Sequence, residues 1–145
     1  MTGQDQETKL SDWNSQIIDE FRENGGKVGG PFEGRPLLLL HHKGARTGTE
    51  RVTPLMYQAV DGGYAVFASK GGADSNPDWY HNVKANPDTS VEVGTEVVDV
   101  EARVAEGDEY ERIWEKQKSD YSFFAEYEAK TARDNIPVVV LDRKG

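Results

Sequence analysis

Apolar residues between Ser11 and Asn24 recur at helical spacing: Trp13, Ile17, Ile18 and Phe21 fall on one side, Ser11 can cap the start, and Gly25 can end the run. The spacing predicts one amphipathic helix packed on the domain, with a partner or a membrane surface as the other occupants of that stripe. The run GGKVGGPFEG (25–34) follows as a linker or a wrapping loop. The period then changes. RPLLLLHH (35–42), RVTPLMYQAV (51–60) and GYAVFAS (63–69) are rich in strand formers, and DGG (61–63) signals a hairpin turn. A short helix opening at Pro77 comes next. TSVEVG (89–94) and VVDVEARVAE (97–106) alternate apolar and acidic residues, as strands with one wet face do. A charged helical region from Asp108 to about Asn135 precedes IPVVVLDR (136–143), a buried closing strand. Six strands with late helices predict a mainly β chain with α (α+β), a small antiparallel barrel. An N-terminal helix and linker take residues 1–30, and the barrel domain 31–145.

Composition narrows the chemistry. At 145 residues and 36% hydrophobic, the chain is one domain able to bury roughly two-thirds of its unfolded surface. The longest apolar blocks, PLLLL (36–40) and PVVVL (137–141), fall far short of the ~20 residues a membrane span needs, and no basic-then-apolar leader opens the chain. A soluble, cytoplasmic protein is expected, with peripheral membrane contact left to the N-terminal helix. No cysteine is present, so disulfides, thiolate metal sites and cysteine nucleophiles are excluded. Seventeen Lys and Arg against 26 Asp and Glu, net charge −9, argue against nucleic-acid binding. A local basic pocket still acts on its own, because salt screens over about 8 Å.

Two glycine-bearing loops make such a pocket. HKGARTGTERVTP (42–54) carries Lys43, Arg46 and Arg51 on a connection longer than a minimal hairpin, and the arginine fork suits phosphate or carboxylate. Pro54, inside a strand pattern, marks an edge or a bulge. SKGGADSNPDWYHNVKANP (69–87) sets Lys70 beside Gly71, Gly72 and Ala73, whose N–H groups would form an anion-binding nest ahead of a helix dipole. Trp79, Tyr80 and Val83 read as core. His41 and His42 alternate across a strand and cannot easily share a metal with the distant His81, so no metal site is expected. No Gly-x-Ser-x-Gly elbow is present, which disfavours hydrolysis.

Gly44-Ala45-Arg46-Thr47-Gly48, then Arg51-x-x-Pro54-Leu55, then Ser69-Lys70-Gly71-Gly72-x-x-x-Asn76-Pro77-x-Trp79-Tyr80-x-Asn82-x-x-Ala85-Asn86-Pro87 resemble the deazaflavin-dependent nitroreductase family of actinobacteria over about residues 35–142. The resemblance implies a split β-barrel and the reduced deazaflavin coenzyme F-420, whose phosphate and glutamate tail suit the basic loops. By the same resemblance Lys70, Gly71 and Gly72, with Arg46, Thr47 and Arg51, hold phosphate and tail. Pro54, Leu55 and Met56 line the ring, and Ala73, Asn76, Pro77 and Trp79 shape the rest of the groove. Ser69 with Tyr121, Phe124 and Tyr127 lines the acceptor pocket, Phe124 standing where the nitroimidazole-activating member has tyrosine. Read from its own spacing, YSFFAEY (121–127) is an ordinary core face.

The implied activity is hydride transfer from reduced F-420 to an activated double bond, a quinone or a nitro-compound, with Ser69, Tyr121 or Tyr127 polarising the acceptor. An FMN-dependent reductase on the same barrel is the enzymatic alternative, and a non-enzymatic F-420 or tetrapyrrole carrier the other. The expected partner is a small electrophilic acceptor, and the expected state a monomer or homodimer.

Overall fold

The computed structural model describes residues 14–29 and 34–144. Six antiparallel strands, β1 (Leu37–Lys43), β2 (Glu50–Val60), β3 (Gly63–Phe67), β4 (Asp88–Val93), β5 (Glu96–Val104) and β6 (Val138–Arg143), close into a barrel in the order β1-β2-β3-β6-β5-β4. Residues 14–23 form α1, followed by α2 (Asp78–Ala85), α3 (Gly107–Asp120) and α4 (Phe123–Lys130).

The continuous apolar runs exist because both faces of those strands are covered. Leu38 and Leu40 point into the barrel with Val66, Val91, Val100, Val139 and Leu141, while Leu37 and Leu39 point out beneath Ile17, Phe21 and Val28. Alternate residues of β3 and β6, namely Ala65, Phe67, Val138 and Val140, pack outward against Ile113 and Trp114 of α3 and Phe124 of α4. Each such buried Val, Leu, Ile or Phe contributes roughly 1.5–3 kcal/mol. Helix α2 adds Trp79, Tyr80 and Val83 to the barrel-interior cluster, the core role their spacing predicts.

The N-terminal helix does pack on the barrel, and Val28 shows that its glycine-rich continuation wraps rather than spans a gap. Gly25 ends it at φ +65°; Ser11 and Trp13 lie outside the described residues. Arg22 forks onto Glu92 of β4 at 3.0 and 2.7 Å, and His41 shares that carboxylate at 2.7 Å. Asp61 and Gly62 make the predicted two-residue hairpin, with Val60 opposite Gly63.

Two expectations change. The charged region after Asp108 is two helices, broken at Tyr121–Ser122, and from Thr131 to Pro137 it is irregular. Charge patterning carries no signal for that break, because it is set by α4 turning back onto the outer face of β3. Pro77 is the residue before α2, with ψ 158°, rather than its first helical residue. Pro54 behaves as an edge proline within a closed barrel. It stands opposite Leu39 on β1, while β3 pairs only with Tyr57–Val60, so no strand on its other side needs its missing N–H.

Candidate active site

The open side of β2 is where the predicted residues converge. A cleft of about 270 Å³ is lined by Pro54, Leu55 and Met56 from β2, Phe67 at the end of β3 and Ser69 after it, Lys70 and Gly71, Pro77 and Trp79 at α2, Phe123, Phe124 and Tyr127 from α4, and Arg35. Its apolar walls suit a flat ring, and the lysine turn supplies charge at the rim.

That turn is backbone of an unusual kind. Lys70, Gly71 and Gly72 take φ of +48°, +64° and +83° in succession, which two glycines permit and a lysine tolerates only when its surroundings enforce it. The Gly72 and Ala73 N–H groups donate to the Ser69 and Lys70 carbonyls at 2.9 and 3.1 Å. The nest expected there is thus largely satisfied within the turn, and the Lys70 ammonium, donating to Ser75 Oγ at 3.3 Å, is the main attraction for an anion. The helix dipole is likewise occupied, since Asp78 sits in the first turn of α2.

The other basic loop shapes a second cleft of about 650 Å³, lined by Gly44, Ala45, Arg46, Thr47 and Arg51 with Asp78, His81 and Asn82. Its position depends on a buried relay. Asn82 Oδ1 accepts from the Ala45 N–H at 2.9 Å, Asn82 Nδ2 donates to His42 Nδ1 at 2.9 Å, and His42 Nε2 bonds Thr53 Oγ1 at 2.8 Å. Burial, with the Arg51 charge nearby, pushes His42 down to about 4. The neutral ring is what the relay requires, since Nδ1 must accept.

Not every predicted residue faces a cleft. Tyr121 packs on Phe123 with ring centroids 6.0 Å apart and does not line the lysine cleft. Phe124 is 4% exposed and wedged against Phe67 and Trp114, so it is core first and wall second. Ala73 and Asn76 face away, toward residues 131–133: the Ala73 carbonyl accepts from Thr131 Oγ1 at 2.7 Å, and Asn76 Oδ1 from Arg133 at 2.7 Å. Among the described residues no group of three His, Asp or Glu is placed to hold a metal.

Sequence reasoning assigned no role to Arg35, Phe123, Asn82 or Arg133, and weighed His42 only as a metal ligand. Asn82 belongs to the quoted motif and was legible as a motif position. Arg133 carried no signal, because its partners include backbone carbonyls 65 and 64 residues away.

The family model described as "F420H(2)-dependent quinone reductase" matches residues 13–143. The chain belongs to that family. Among relatives of this reductase, an F420H(2)-dependent quinone reductase of Mycobacterium tuberculosis is 38% identical over 128 residues, covering 86% of this chain and 85% of that one. A solved F420-H2 dependent reductase is 44% identical, covers 73% of this chain and 94% of its own, and superposes with TM-score 0.65. A structure described as a domain-swapped dimer is 39% identical over 93% of this chain and 98% of its own, with TM-score 0.69. The chain is therefore an F-420-dependent oxidoreductase on a split barrel. Its residues fit that coenzyme: an apolar slot for a ring beside one lysine, and two further arginines on a separate loop for acidic groups.

Proposed function

We propose that this reductase acts on a quinone-type acceptor in the cleft under Lys70. The observation that carries the reading is that one cleft brings together the Lys70 turn, the Pro54–Met56 segment and the aromatic wall of α4. Lys70 and Gly71, with Arg46, Thr47 and Arg51, hold the phosphate and acidic tail, while Gly72, its N–H already given to the Ser69 carbonyl, shapes the turn. Leu55, Met56 and Trp79 hold the ring. When bound, the reduced deazaflavin supplies a hydride from a ring carbon.

The chain's own residues place the acceptor and manage its charge. A quinone that accepts a hydride gains negative charge on oxygen and needs one proton to become the hydroquinone. Ser69 and Tyr127 offer hydroxyls to that oxygen. The Arg35 guanidinium, 4.7 Å from the Phe123 ring centroid, puts positive potential on the same wall; fixed charge aimed at a developing oxyanion lowers the barrier. Phe123, partly exposed on that wall, stacks the acceptor's ring, and Phe124 behind it packs the wall against Phe67 and Trp114 and keeps water out.

The test is a titration of the protein with F-420 and with FMN, followed by turnover with menadione. Tighter binding of F-420 and reduction of menadione support the reading. Equal or tighter FMN binding would assign the barrel to a flavin enzyme, and F-420 binding without turnover would make it a carrier.

A further inference from the structure

We propose that Arg133 is a positioning residue for the coenzyme turn, holding from behind the left-handed backbone that aims Lys70 into the cleft. The inference rests on the reading that this turn holds F-420.

Arg133 sits beyond α4, outside the cleft, yet its guanidinium reaches both ends of the 68–76 loop. Nη2 donates to the Ser69 carbonyl at 2.8 Å, and Nη1 donates to the Ala68 carbonyl at 2.8 Å and to Asn76 Oδ1 at 2.7 Å. Nε donates to Thr131 Oγ1 at 2.9 Å, which orients the fork. The neighbouring residues complete a clasp: Thr131 Oγ1 donates to the Ala73 carbonyl at 2.7 Å, and the Ala132 N–H donates to Asp74 Oδ1 at 2.8 Å. Three residues thus grip the loop at five points along its length.

The turn needs such a grip. Lys70 holds φ +48°, a conformation that a residue with a Cβ keeps only where neighbouring contacts outweigh its local cost. The carbonyls immediately before it, on Ala68 and Ser69, are the ones Arg133 engages. Releasing them frees Lys70 to relax toward the common right-handed or extended regions, and its ammonium then leaves the rim. Only a planar fork with several N–H groups can serve acceptors lying in different directions at once. The clasp also continues directly from α4, so the element that walls the acceptor side is tied to the element that carries the coenzyme's charge.

The deciding experiment is a double-mutant cycle on F-420 binding, read by titration, with melting curves on every variant. Arg133→Met is expected to weaken F-420 binding about tenfold or more, and Arg133→Lys to weaken it less. Lys70→Ala should weaken binding about tenfold or more in the wild-type background but only about twofold beside Arg133→Met, because a misaimed lysine has little left to lose. A tie that merely stabilises the fold would lower melting temperature and leave the Lys70→Ala factor the same in both backgrounds. That equality, or an Arg133→Met affinity within about twofold of wild type, overturns the proposal. If Arg133→Met does not fold, Arg133→Lys carries the same cycle. A Lys70→Ala variant that binds F-420 as well as wild type overturns the reading that the Lys70 turn holds the coenzyme, a failure distinct from factors that are equal but well above one.

Discussion

Gly72 lies so close to Tyr127 that a Cβ built on it would stand 3.1 Å from both the Tyr127 Cα and its carbonyl oxygen. The contact is backbone against backbone, so neither side can swing away, and it ties the lysine turn to the middle of α4. Gly71, one residue earlier, also has positive φ, but a Cβ there would meet open space. Gly72→Ala should therefore destabilise by about 1–3 kcal/mol and damage coenzyme and acceptor binding together, whereas Gly71→Ala carries only its local cost of about 1 kcal/mol. Thermal melts of the two variants check the order; equal losses would mean that the contact with α4 is soft.

Lys70→Ala should lose on the order of 1–3 kcal/mol of F-420 binding and leave the melting temperature nearly unchanged, because among the described residues its side chain bonds to exposed Ser75 alone. Binding by the wild type should weaken as salt rises, and the variant's salt dependence should be shallower. Titrations at two ionic strengths measure both quantities.

Phe124→Tyr should act on stability more than on acceptor choice. Its ring is packed within 5.5 Å of Phe67 and 6.0 Å of Trp114, and a hydroxyl forced among them without a partner costs about 1–3 kcal/mol. Tyr127→Phe, on the half-buried cleft wall, should instead change the ranking of quinone acceptors while the melting temperature holds. Melting curves and acceptor profiles on the pair decide; the reverse assignment of effects would exchange the two residues' roles.

Acid should loosen the arginine loop before the barrel opens. His42 is held near 4 in the fold against about 6.5 in the unfolded chain, so the unfolded state binds the extra proton between those values. Its contribution is fully present above pH 6.5 and is lost as pH falls toward 4, by at most about 3 kcal/mol. His42→Gln should flatten the pH dependence of stability across that window, and the change in slope is measurable by denaturant unfolding at pH 5 and pH 7. An unchanged slope would assign the acid sensitivity to carboxylates alone.

The order and kind of the elements were legible because each carried a local signature. A period of two wrote the β4 and β5 strands, four leucines in a row announced a strand covered on both faces, and Asp61–Gly62 marked its hairpin. The two basic loops were legible as loops, since Gly44 and Gly48 around Arg46, and Gly71 and Gly72 after Lys70, mark tight turns. The break at Tyr121–Ser122 left no such mark, because packing against β3 imposes it rather than propensity.

What the tertiary structure alone decided is which of those residues meet and what holds them there. Local sequence named Lys70 as a candidate and read Phe124 as core, while the family resemblance gave Phe124 a pocket role; the closed barrel shows Lys70 at the cleft rim and Phe124 wedged mostly into the core. The left-handed turn could be guessed from two glycines; its enforcement by Arg133 through carbonyls 65 and 64 residues away could not. Any residue offers a backbone carbonyl, so a side chain that binds one leaves no trace in the identity of its partner. Such contacts exist only once the chain has folded.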